Sequence, residues 1–124
     1  MIEPKESTII SYKDLTVWKK GIDLVKEVYS LTGQFPKDES FGLTSQMRRS
    51  SVSIPSNIAE GKMRGTQKDY RHFLLHSFGS GAELETQIEI TKQLPFGKKL
   101  DYNKVDSLLE EVMKMLNTLI RKLK

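Results

Sequence analysis

DYNKVDSLLEEVMKMLNTLIRKL, residues 101–123, is the stretch from which the fold is read. Val105, Leu108, Leu109, Val112, Met115, Leu116, Leu119, Ile120 and Leu123 recur in steps of three and four. That spacing lays one apolar stripe along an α-helix. Lys104, Ser107, Glu110, Glu111, Lys114, Asn117, Thr118 and Arg121 cover the other side. Asp101 is placed to cap its N-terminus. Working outward, Phe96 to Lys99 turn the chain, and Pro95 stops a preceding helix. That third helix opens at Thr66 with Asp69 three residues on, close to a capping box. Its inner face is Tyr70, Phe73, Leu74, Ser77, Phe78, Gly81, Leu84 and Ile88. A second helix is expected from Ser40 as N-cap to Gly61, with Leu43, Met47, Ile54 and Ile58 inward. Pro55 lies inside it, removes a backbone donor and predicts a kink or two shorter helices meeting near Ile54. The first helix is expected over Lys13–Thr32, with Leu15, Trp18, Ile22, Val25 and Tyr29 as its inner stripe and Gly33 at its end. No stretch reads as a strand. The expected fold is all-α: residues 1–12 form an N-terminal arm, and 13–124 an antiparallel up-down-up-down four-helix bundle.

A chain of 124 residues makes one domain. Its 37% hydrophobic and 29% charged residues, with no apolar run of about 18, exclude a spanning helix. Met1–Glu6 lacks the pattern of a secretion signal and there is no Cys, so a cytoplasmic location is expected. Absent Cys also excludes disulfides, thiolate metal sites and thiol nucleophiles. A net charge of +4 is mildly basic and by itself points only weakly to nucleic acid.

Two helices carry more apolar surface than one small bundle needs. At about 100° per residue, Val17, Leu24 and Leu31 fall opposite Leu15, with Val28 beside them. On the second helix Phe41, Val52 and Ala59 oppose the Leu43–Ile58 stripe. Two stripes call for two burials, so Val17, Leu24, Val28, Leu31, Phe41, Val52 and Ala59 are read as a homo-oligomer interface. The alternative is that residues 1–12 and the long loop cover them. Ser50, Ser51, Ser53, Ser56 and Ala59 make the second helix small-sided, and Gly79, Gly81 and Ala82 do the same for the third, which favours close helix approach.

Candidate chemistry is sparse. The serines have no base beside them, and there is no phosphate-cradling or dinucleotide loop. An enzyme is therefore not expected, nor a cofactor, nor a small-molecule substrate. His72 and His76 stand four apart, a spacing that can hold a metal. No Glu follows His72 and no third ligand is identifiable, so they read as a solvated or interface pair and no metal is expected. Glu85 projects toward the inner stripe, with Glu83 near the other side; a general acid is the alternative for Glu85, but no substrate cleft is evident. A structural ion pair with Arg48 and Arg49 is the reading, because an unpaired carboxylate inside a bundle is costly. Arg48, Arg49, Lys62, Arg64, Lys68 and Arg71, against Glu60 and Asp69, form a basic cluster that would attract phosphates and be repeated by oligomerisation. A solvated charged face is the competing reading.

These residues also carry a resemblance. Tyr12–Lys20 (YKDLTVWKK) looks like the opening signature of the four-helix-bundle family of 23S rRNA intervening-sequence proteins. Gln46–Gly61 (QMRRSSVSIPSNIAEG) resembles that family's most distinctive segment, and Tyr70–Leu74 (YRHFL) and Gly79–Gln87 (GSGAELETQ) are similar to the next two. Ser50, Ser51 and Ser56 depart from it, standing where Ala is more usual. The resemblance implies an antiparallel four-helix bundle and a homo-oligomer, a pentamer in the best-understood relatives. These include the accessory variability determinant of diversity-generating retroelements, which binds nucleic acid and works beside a reverse transcriptase. Arg48, Arg49, Lys68 and Arg71 are the matched basic positions. The function expected from residues and resemblance together is a non-enzymatic homo-oligomer binding RNA or DNA through backbone phosphates. The alternative is an assembly scaffold for a protein partner such as a reverse transcriptase.

Overall fold

The structure is a computed structural model and describes residues 11–124. The expected N-terminal arm lies mostly outside the described residues; of it, Ser11 and Tyr12 are seen. Tyr12–Asp14 form a 3-10 turn, and the Tyr12 ring meets Trp18 edge-on at 5.5 Å. Four α-helices follow: α1 Thr16–Thr32, α2 Leu43–Met63, α3 Gln67–Gln93 and α4 Asn103–Lys122. Further 3-10 turns occupy Lys37–Glu39 and Pro95–Gly97, and no strand occurs among the described residues. The fold is all-α, as the sequence predicts. No helix of the described residues is long and apolar enough to cross a membrane.

Each helix packs on two neighbours, α1 on α2 and α4, α3 on α2 and α4, so the four enclose one core. Leu24, Met47, Ile54, Ile58, Leu74, Leu84 and Leu116 lie fully buried in it. Close-packed cores reward shape as much as polarity, and the α2–α3 seam is built on small side chains. A Cβ on Gly61 would lie 2.7 Å from the Phe73 Cβ. The Ser77 hydroxyl donates to the Ile54 carbonyl at 2.8 Å, and Ser53 and Ser80 share a hydrogen bond of 2.9 Å. Of the serines expected to let α2 be approached closely, Ser53 bonds across to α3 and Ser50 and Ser51 are buried, while Ser56 is exposed. Gly81 allows close approach towards α4, where Met113 occupies the space of a side chain, whereas Gly79 faces open space.

The helix ends follow local chemistry. Thr66 Oγ1 accepts from the Asp69 N–H at 3.1 Å, the expected cap of α3. Asp101, expected as the N-cap of α4, stands one residue too early: the cap position is Tyr102, without a side-chain bond, and Asp101 Oδ1 accepts from the Asn103 N–H at 2.9 Å. Helix α2 starts later than Ser40: Glu39, closing its own 3-10 turn, reaches forward to accept from the Leu43 N–H at 3.2 Å. Helix α1 likewise starts at Thr16, because Tyr12–Asp14 are wound into the tighter turn.

Two expectations need correction. Pro55 does not divide α2, which runs unbroken from Leu43 to Met63. The lost backbone bond is offset by burial of the pyrrolidine ring against Gly21, where a Cβ would stand 3.4 Å from the Pro55 Cβ. The faces of α1 are also reversed. Val17, Leu24, Val28 and Leu31, read above as an oligomer interface, lie in the core with Gly21 and Thr32. Spaced 17, 21, 24, 28 and 31, they are a continuous stripe whose second member is a glycine. Counting bulky residues alone breaks that stripe and promotes the face beside it. Of the stripe expected inside, Leu15 and Trp18 are half-buried against the core, Ile22 and Val25 are half-buried without joining it, and Tyr29 is 43% exposed.

Candidate nucleic-acid interface

The basic residues fall into two groups. Arg48 and Lys62 are fourteen positions apart on one helix, hence about 21 Å along its axis at 1.5 Å per residue. Arg48 belongs to the seam with α1: its Nε donates to Thr32 Oγ1 at 2.9 Å, and its guanidinium lies 4.2 Å from the centre of the Tyr29 ring. Arg49 is exposed beside a groove lined by Phe41, Ser45, Ser53, Ser80 and Glu83. The expected ion pair of Arg48 and Arg49 with Glu83 and Glu85 does not form. Both carboxylates are exposed, and among the described residues no ion pair joins them to either arginine. Glu85 projects instead into a groove between α3 and α4 that Glu89, Asp106 and Glu110 also line. In water it needs no buried partner.

The second group sits where the last turn of α2, the first turns of α3 and the last turn of α4 meet. Gly65 makes the connection possible, because its φ of +89° is one that side chains resist. Lys62 Nζ stands 5.2 Å from the centre of the Tyr70 ring, and the Arg64 guanidinium 4.8 Å from that of Phe73. Such cation–aromatic contacts hold long side chains in place at modest gain. Arg64 also pairs with Glu60 at 3.0 Å, so part of its charge is already met. Tyr70 is half-buried against the core, and burial pushes its phenol above the ordinary tyrosine value, so its ring is committed to packing rather than free to stack on a base. Arg71 reaches across to α4, its Nε donating to the Ile120 carbonyl at 3.1 Å. A cation there satisfies one of the open carbonyls at a helix C-terminus and faces the negative end of its dipole. Lys68 is exposed.

Lys68, Arg71 and His72 line a groove together with Lys124 and Leu75, with Asp69 as the one carboxylate. Arg121 and Lys122 stand in the last turn of α4. Sequence reading missed the contribution of α4. Residues 121–124 are fifty positions from Arg71, and the single trace of their meeting is that basic residues favour a helix C-terminus. The structure thus brings Lys62, Arg64, Lys68 and Arg71 to one end and leaves Arg48 and Arg49 elsewhere. Of the apolar interface residues expected on α2, Phe41 is 99% and Val52 41% exposed, while Ala59 is half-buried.

The sequence model of the 23S rRNA-intervening sequence protein family matches residues 13–118, which span all of α1 to α3 and most of α4. The chain belongs to that family. No curated protein matches it. The family match covers both basic groups and the whole α2–α3 seam; of the basic residues at the end of the fold, Arg121, Lys122 and Lys124 lie beyond it.

Proposed function

We propose that this member of the 23S rRNA-intervening sequence protein family is a non-catalytic homo-oligomer that binds RNA or DNA through backbone phosphates. The observation that carries the reading is the convergence of Lys62, Arg64, Lys68 and Arg71 with the basic C-terminal turn of α4 at one end of the fold. Cations gathered on a surface attract phosphates without regard to base sequence. The bundle is taken as antiparallel and up-down-up-down, supported by pairings that descend along α3 as they climb α2: Gly61 with Phe73, Ile54 with Ser77, Met47 with Thr91. Self-association is supported by the apolar side chains left outside the core, Ile22, Val25, Tyr29, Phe41 and Val52. Five copies, the number that the family resemblance implies, would repeat the basic end around a ring and sum its field.

The test is binding of the purified protein to generic RNA and duplex DNA across a salt series, with Arg64→Glu, Lys68→Glu and Lys124→Glu combined as the variant. Affinity should fall steeply with salt in the parent. The slope should flatten by about one for each phosphate that the variant no longer neutralises. Parent and variant that bind alike, or neither at low salt, would remove the reading. A scaffold for a protein partner would then be favoured by the same exposed Phe41, beside the groove of Ser45, Ser53 and Ser80.

A further inference from the structure

His72 and His76 lie one turn apart near the start of α3, and both side chains are exposed. Their Nε2 atoms are 3.2 Å apart, and the ring planes are nearly perpendicular at 85°. A metal ion about 2.0–2.1 Å from each of two imidazole nitrogens, with about 90–110° between the bonds, sets those nitrogens about 2.8–3.4 Å apart. The observed separation falls inside that window. The Phe73 ring flanks both imidazoles, at 5.7 Å from His72 and 6.1 Å from His76, and narrows the space in which they move. A helix interior supplies a fixed backbone spacing, so little ordering remains to be done on binding.

We propose that His72 and His76 form a two-nitrogen site for a borderline divalent transition-metal ion, taking Cu2+ more tightly than Zn2+. Imidazole suits both ions, and Cu2+ stands above Zn2+ in the order of divalent affinities. Bridging by a metal uses the lone pairs of both Nε2 atoms, so both rings carry their remaining proton on Nδ1. That differs from the metal-free contact, in which one Nε2–H donates to the other ring. No further His, Asp or Glu among the described residues completes a set of three, so the other coordination positions open to solvent. Exposure allows this, because the ion keeps its waters and no charge is buried. Positive charge stands nearby, since Lys68, Arg71 and Lys124 share a groove with His72, and it is met only in part: Asp69 lines the same groove, and Arg64 is paired with Glu60.

The test uses tag-free full-length protein, with no nucleic acid present, titrated calorimetrically with Cu2+ and with Zn2+ in a weakly coordinating buffer. Nitrogen coupling in the Cu2+ electron paramagnetic resonance spectrum gives a second readout. The parent should take up one ion per chain with two imidazole nitrogens bound. His72→Gln and His76→Gln should each weaken it by about tenfold or more, since each removes the chelate. The double variant, left with no imidazole, should bind more weakly than either single one. Both positions are exposed, so circular dichroism should show all variants folded. Equal affinity in parent and double variant, sensitivity to one histidine alone, or Zn2+ bound more tightly than Cu2+ would overturn the assignment.

Discussion

Single residues of this fold separate by what a side chain would meet. At Gly79 an added Cβ meets nothing within 4 Å, whereas at Gly81 it would meet Met113 Sδ and at Gly97 the Thr91 carbonyl. Gly79→Ala should therefore stabilise the protein by about 0.5–1 kcal/mol, the ordinary gain from removing backbone freedom in a helix. Gly81→Ala should destabilise it by about 1–2 kcal/mol, because the flexible thioether can move aside. Gly97→Ala should cost the most, about 3 kcal/mol or more, because a backbone carbonyl cannot move alone. Urea unfolding midpoints of the three variants check the order. A Gly81→Ala variant as stable as Gly79→Ala would overturn the close contact of Gly81 with Met113.

At the scale of elements, Arg71 and Lys68 show how one basic cluster divides into different jobs. Arg71 ties α3 to the end of α4 through the Ile120 carbonyl; Lys68 is exposed. Arg71→Met should lower stability by about 1–2 kcal/mol through loss of a charged hydrogen bond at a helix terminus. Lys68→Met should leave stability within about 0.5 kcal/mol. Thermal melts at fixed salt distinguish the two. The helices themselves were legible in the sequence where caps and stripes agreed: Thr66 opening α3, Pro95 following it, and the apolar stripe of α4 from Val105 to Ile120. The sequence misled where one residue type hides a stripe. Gly21 contributes no hydrophobic signal, so the true inner face of α1 was split and its neighbour promoted. At Pro55 the reading of two shorter helices fails, because what offsets the lost bond is a tertiary contact with that same glycine. The basic end was half legible, since Lys62 to Arg71 are close in sequence while α4 joins them only by packing.

For the whole molecule, the exchange of faces on α1 reverses one expectation about assembly. Leu24 is wholly buried, so Leu24→Glu should unfold the chain and lose helicity. Phe41 is 99% exposed, so Phe41→Glu should keep helicity and, if the proposed self-association uses it, lower the mass seen by light scattering. A folded Leu24→Glu of reduced mass would restore the original stripe. Stability should also decline in alkali. The hydrogen bond from Lys92 to Asp106, 2.7 Å long, holds the lysine above its ordinary 10.5, and burial raises the Tyr70 and Tyr102 phenols above 10.0. Each group favours its protonated form when folded. Its contribution is therefore complete below the ordinary value and is lost as pH climbs through the raised one. Urea midpoints should be level from about pH 8 to 9 and fall above about pH 10. Asp106→Asn should make that fall shallower.

The notch at Gly21 also settles how far α1 can slide. A shift by one turn in either direction would carry Val17 or Trp18, Leu24 or Val25, to the place where the Pro55 ring now rests. Each is larger than glycine, where an added Cβ would already touch the ring at 3.4 Å. The contact of Gly21 with Pro55 thus favours one axial register of α1 on α2. Filling the notch with Gly21→Val should therefore disturb the alignment of α1 before it disturbs the amount of helix.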